Sequence, residues 1–200
     1  MIAALYVETG GVYFGLPDVD PWDVERDARQ YAGPWPVVAH PPCARWSRLA
    51  GFTEARFGLK RGEDGGCFKA ALNAVHTHGG VIEHPAYSDA WDRFLLPEPV
   101  WRGGWNLSVF GGASCYIEQG RYGLPVKKAT WLYAYGVPFG DLPDLRWGYT
   151  PDGEGERPNG PWGGIDGWRD SWTTKEAGGT SRTPEPFRDA LLGIARSVRV

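Results

Sequence analysis

Pro36-Val37-Val38-Ala39-His40-Pro41-Pro42-Cys43 is the stretch on which the reading of this chain turns. Three small apolar residues, two of them β-branched, predict a buried strand. Pro41-Pro42 stops that strand sharply, because proline has no N–H to give to a ladder. Cys43 is therefore expected on a loop at a strand end, where it is the leading candidate for a reactive residue. Downstream, Gly66 to His78 predicts a helix, with Phe68, Ala71, Leu72 and Val75 on one face and Gly79-Gly80 as its stop. Val81-Ile82-Glu83 follows as a further strand, closed by Pro85. Helix then strand, with a polar residue at the strand's end, is the pattern of a parallel α/β sheet.

The rest of the chain extends this frame. Ile2 to Val7 reads as a buried strand and Gly10-Gly11 as a turn. The acidic stretch Asp20 to Tyr31 is expected to hold a short helix with Pro21 in its first turn. Cys43 to Gly51 reads as a loop or a turn of helix, and Thr53 to Gly65 as a polar, mobile segment. Ser88 to Leu96 predicts a short helix, and Trp101 to Phe110 is irregular. Ala113 to Glu118 and Ala129 to Tyr135 read as strands joined near Tyr122-Gly123-Leu124-Pro125, an antiparallel addition to the sheet. Thr183 and Pro184 are expected to start a last helix whose face is Phe187, Leu191, Ile194 and Val198. The expected organisation is an α/β core over 1–136, a small irregular lobe rich in Gly, Pro and Trp over 137–179, and a helix within 180–200 that returns to the core.

Composition narrows the class. The chain has 200 residues, 42% hydrophobic and 22% charged, which suits a soluble globular domain. No apolar run has the length of a membrane span and no basic-then-apolar leader is visible, so the expected location is the cytoplasm. Three cysteines, Cys43, Cys67 and Cys115, are too few and too scattered for a disulfide framework. A net charge of -3 argues against a protein that coats nucleic acid through a broad basic surface, while leaving room for a local basic cleft.

Cys43 and Glu83 both stand at strand ends beside proline. Carboxyl ends of parallel strands are where α/β folds place ligands, and a thiol with a carboxylate suits a nucleophile plus an acid or base. An inert cysteine is the plainer alternative. A metal site from His40 and Cys43 with Cys67, His76, His78 or His84 is another reading, but there is no Cys-x-x-Cys pair, so none of these is assigned to metal.

Val37 to Ser47 resembles the catalytic loop of the DNA cytosine-C5 methyltransferases: Pro41-Pro42-Cys43, then Trp46-Ser47, with Ala44 in place of that family's Gln. Gly80-Val81-Ile82-Glu83-His84-Pro85 is similar to its strand ending in Glu-Asn, with His84 for Asn. Tyr122-Gly123-Leu124-Pro125 with Lys127 and Lys128 is similar to its Tyr-Gly-Val-Pro-Gln-x-Arg-x-Arg stretch, Lys128 and Thr130 falling at the arginine positions. Tyr6-Val7-Glu8-Thr9-Gly10-Gly11 resembles its first, glycine-rich motif, with Glu8 for the first glycine. The resemblance, to a shortened phage-type member, implies a shortened Rossmann-like methyltransferase sheet that modifies cytosine at C5 in DNA or in a pyrimidine nucleotide. It implies Cys43 as nucleophile at C6 and Glu83 as the acid at N3. It implies Pro42, Trp46, Ser47, His84, Lys127 and Lys128 as substrate contacts, and Tyr6, Gly10, Gly11 and Asp20 as contacts to S-adenosylmethionine. Only about thirty residues separate Gly11 from Cys43, the length of a single βαβ unit, so part of the usual cofactor-binding region is missing. Two other readings keep the same residues: the same covalent chemistry with another donor or with deamination, and an inactive fold that binds nucleic acid or protein.

Overall fold

The computed structural model describes residues 1–100, 104–123, 128–145 and 182–199. Its centre is a mixed seven-stranded sheet. In chain order the strands are β1 (Ile2–Leu5), β2 (Val19–Trp22), β3 (Val37–Ala39), β4 (Gly80–Pro85), β5 (Trp105–Leu107), β6 (Ala113–Glu118) and β7 (Ala129–Tyr135). The helices are α1 (Ala50–Phe57), α2 (Cys67–His78), α3 (Asp89–Arg93) and α4 (Glu185–Arg196). The spatial order is β2-β1-β3-β4-β7-β6-β5. The first four strands run parallel, and β7, β6 and β5 extend the sheet antiparallel from β4.

Alternation along the strands builds two cores, one on each face. Ala3, Leu5, Val37, Ala39, Ile82, Trp131 and Tyr133 pack with Phe68, Ala71, Leu72 and Val75 of α2 and with Trp91 of α3. Ile2, Ala4, Val38, Val81, Leu132 and Ala134 pack with Phe187, Leu191, Leu192 and Ile194 of α4. Each of those α4 side chains is almost wholly buried, which stabilises the layer by roughly 1.5–3 kcal/mol apiece. β3 meets β4 at Val37 opposite Gly80, where a side chain would strike the Val37 carbonyl; only glycine, at φ +131°, allows the pairing.

Several expectations are corrected. The helix expected over Asp20 to Tyr31 is absent: Val19–Trp22 is β2, followed by a single 3-10 turn at Ala28–Gln30 capped by Asp27. Pro21 is accommodated because β2 is an edge strand bonded only to β1. α1 runs from the expected loop, at Ala50, into the segment expected to be mobile, as far as Phe57; it buries only Ala50 and so has no apolar stripe to announce it. β5 lies within the stretch expected to be irregular. Thr183 does not cap α4; Pro184 occupies that position without a side-chain bond, and Pro186 stands in the first turn. Of the lobe expected over 137–179, the described part holds one 3-10 turn, Phe139–Asp141, and 146–179 lie outside the described residues. No helix among the described residues is long and apolar enough to cross a membrane.

Candidate functional site

From β1 the chain goes one way in the sheet to β2 and the other way to β3. That reversal leaves a crevice at the carboxyl ends of β1 and β3, the position where open α/β sheets hold ligands. A cleft of about 1110 Å³ lies there, walled by residues 6–14, 40–43, Glu83, Pro85, Lys128 and parts of 182–188. The ladder between β1 and β3 ends at His40, whose N–H donates to the Leu5 carbonyl at 3.0 Å. Pro41 and Pro42 add no donors, and the Cys43 carbonyl accepts from the N–H groups of Trp46 and Ser47 at 3.0 and 2.9 Å. The thiol therefore sits at the head of a tight turn, exposed to the cleft.

Glu83 is buried and surrounded by donors. Its Oε1 accepts from Gln119 Nε2 at 2.8 Å, and its Oε2 lies 3.1 Å from His40 Nδ1; the Thr130 hydroxyl, 3.5 Å from Oε1, donates to the Lys128 carbonyl at 3.1 Å. Gln119 Nε2 also reaches Thr130 Oγ1 at 3.0 Å, and His40 Nε2 lies 2.8 Å from the buried Tyr13 hydroxyl. Burial opposes the charged form of Glu83, yet Lys128 and the His40 bond outweigh it and hold the carboxyl down at about 2. Glu83 is thus an ionised carboxylate at neutral pH. A carboxylate only accepts, so the proton in the Glu83–His40 bond sits on Nδ1.

The Cys43 thiol is pushed up by partial burial and by Glu83, against an opposing pull from Lys128. Lys128 therefore acts on both groups. Its ammonium makes no hydrogen bond or ion pair with the described residues. Two non-glycine residues of the cleft wall, Tyr6 at φ +59° and Lys128 at φ +36°, stand in the left-handed region. Strain of this kind, about 1–3 kcal/mol each, gathers at functional sites. Tyr6 is further fixed by its hydroxyl, which donates to the Cys67 carbonyl at 3.0 Å.

Cys43, Glu83, Pro42, Lys128, Tyr6, Gly10 and Gly11 all reach the cleft. Other expected site residues do not. His84 follows Glu83 on β4 and so points to the opposite face, where it is fully buried against Phe68 and Trp91 with Nδ1 2.8 Å from Ser88 Oγ. Burial holds it neutral, down at about 4. Trp46 is buried too, packed on Phe68 and Phe94, and its indole N–H donates to Asp64 at 2.8 Å. Ser47 Oγ accepts from the Leu49 N–H at 3.3 Å, a local turn bond outside the cleft wall. Asp20 is held by Arg26 at 2.6 Å and by the Trp22 indole at 2.8 Å, away from the cleft. Lys127 lies outside the described residues.

Sequence reading did not foresee Tyr13, Gln119 or Thr130 as part of this centre, nor His40 as the partner of Glu83. Among the described residues no three His, Cys, Asp or Glu side chains are grouped to hold a metal ion. The residues that the resemblance assigns to S-adenosylmethionine fit it poorly. Asp20 is not available to a ribose, Glu8 adds a carboxylate to the cleft wall, and the Glu8–Gly11 turn is closed by a 2.9 Å bond from the Gly11 N–H to the Glu8 carbonyl. Comparison with family models, with curated proteins and with solved structures finds no match for this chain.

Proposed function

We propose that the chain is a transferase that modifies a pyrimidine base at C5, in DNA or in a nucleotide, through a covalent adduct with Cys43. The observation that carries this reading is the convergence of Cys43, Glu83 and Lys128 on one cleft at the switch point of the sheet. The strand order, with its parallel β2-β1-β3-β4 half and antiparallel extension, is compatible with a shortened Rossmann-like methyltransferase sheet. C5 of a pyrimidine is a weak nucleophile. Addition of the Cys43 thiolate to C6 makes C5 electron-rich, C5 then attacks an electrophilic carbon, and loss of the C5 proton expels the thiol. Glu83 faces the ring nitrogen edge, and Lys128 stabilises the negative charge that addition places on the ring. The residues present do not fit S-adenosylmethionine. The donor in this reading is another electrophile.

The test is to incubate the protein with an oligonucleotide and with a nucleotide carrying a 5-fluoropyrimidine, with and without S-adenosylmethionine, and to search for an adduct by mass spectrometry. An adduct on the peptide containing Cys43, lost in Cys43→Ser, is expected. A folded protein that forms no adduct with either substrate under any condition, and shows no exchange of the C5 hydrogen with water, refutes the reading.

A further inference from the structure

Glu83 and Lys128 also bear on which pyrimidine the cleft takes. The Glu83 side chain meets donors: the Gln119 amide and His40 Nδ1–H, with the Lys128 ammonium nearby. His40 meets Glu83 Oε2 through Nδ1 and the Tyr13 hydroxyl through Nε2; the ionised carboxylate selects the Nδ1–H tautomer, with the Tyr13 hydroxyl donating to Nε2. Gln119 Nε2 donates to both Glu83 Oε1 and Thr130 Oγ1. The Gln119 amide N–H on Oε1 and the nearby Lys128 ammonium favour the carboxylate over the protonated acid. What Glu83 can do for a substrate is accept a hydrogen bond.

The two common pyrimidines differ at that edge. Uracil presents oxygen, N3–H and oxygen in sequence: acceptor, donor, acceptor. Cytosine presents an amino group, a bare N3 and an oxygen: donor, acceptor, acceptor. A bare N3 set against a carboxylate leaves two acceptors face to face, which a buried site penalises heavily. The N3–H of uracil pairs with it directly, and either neighbouring oxygen then meets a cation. Resting on the covalent reading above, we propose that the cleft is specific for uracil-type rings, with Glu83 as the acceptor of N3–H and Lys128 as the partner of a ring oxygen.

The chemistry balances without a proton from Glu83. The bond from Cys43 Sγ to C6 forms, and the electron pair of the C5–C6 double bond moves through C4 onto O4. The resulting enolate is paired with Lys128. C5 then takes up an electrophile, which in the absence of a donor is a proton from water. Loss of the original C5 hydrogen as a proton restores the enolate, and its collapse re-forms the double bond and breaks the C6–S bond. With cytosine, addition puts the charge on N3, and the group set against it is the Glu83 carboxylate.

The experiment measures release of tritium into water from deoxyuridine and deoxycytidine monophosphates labelled at C5, and from the same bases within an oligonucleotide, using the full chain with no donor added. Release from uracil is expected to exceed release from cytosine by about tenfold or more. Glu83→Gln, whose amide can donate to a bare N3, is expected to narrow or invert that ratio. Equal rates, or faster release from cytosine, in the unaltered protein overturn the specificity while leaving the covalent reading intact. Release from neither base, together with no fluoropyrimidine adduct, removes the covalent reading and the specificity with it. The ratio in the unaltered protein decides the matter even if the variant does not fold.

Discussion

Glu83→Gln removes one negative charge from beneath the cleft while keeping the side chain's size. The carboxyl of Glu83 lies at about 2 in the folded protein against an ordinary 4.5, a displacement equal to roughly 3 kcal/mol at 1.36 kcal/mol per pH unit. Because the folded value is the lower one, the folded state binds the proton less readily than the unfolded state. The stabilisation is therefore complete above about pH 4.5 and is lost as pH falls toward 2. Other carboxyls, including Asp20 and Asp23, are also lowered and will weaken the protein in the same range. They are common to both proteins, so the difference between them isolates Glu83. Urea unfolding at a series of pH values gives that difference. The gap between unaltered protein and Glu83→Gln should be near constant at neutral pH and shrink by roughly 3 kcal/mol on acidification. A gap that does not change with pH would mean that Glu83 is not held ionised by Lys128 and His40, and would undo the account of the site's electrostatics.

Three other perturbations follow from the same geometry. Lys128→Met removes the cation that acts on both Cys43 and Glu83; the Cys43 thiol should titrate higher, seen as a shift to higher pH in its alkylation by iodoacetamide, with peptide mapping to separate it from Cys67 and Cys115. Trp46→Phe should lose its bond to Asp64 and about 1–2 kcal/mol of stability by urea unfolding, with fluoropyrimidine adduct formation unchanged, because the indole packs in the core and not on the substrate. Gly80→Ala places a methyl group on the Val37 carbonyl at a φ that alanine resists; β3 must part from β4, and stability should fall by at least about 2 kcal/mol, or the protein should fail to fold.

The extent to which the sequence announces this structure follows from burial. β6, β7 and α2 are legible to within a residue because their alternation or helical stripe is enforced by a core on at least one face. β2 is misread because Pro21 and three aspartates look like the first turn of a helix, and only its edge position makes that composition workable in a strand. α1 is invisible because it packs almost nothing. In the site, Cys43 is legible from its place after a strand stopped by Pro41-Pro42, whereas Glu83, read as a strand end, stands inside β4, which runs on to Pro85. His84 is not legible, since reading the two neighbours as one pair ignores that successive strand residues face opposite ways. Tyr13, His40 and Gln119 converge on Glu83 from three separate segments, 83 to 13 being a span of the fold that no local pattern encodes.

The walls of the cleft come from segments spread from Tyr6 to Arg188, and α4 supplies one of them. Arg188 of α4 donates to the Val12 carbonyl at 2.9 Å, which ties the loop after β1 to a helix 176 residues away. A ribosome makes β1 through β7 before α4 exists, and chains fold largely as they emerge. Until α4 docks, the apolar face of Val38, Val81 and Leu132 is bare and the loop carrying Tyr13 has no anchor from that side. A nucleophilic thiol beside an unfinished pocket is thus kept without its full set of walls during synthesis, and competence arrives with α4 rather than with the strand that bears Cys43.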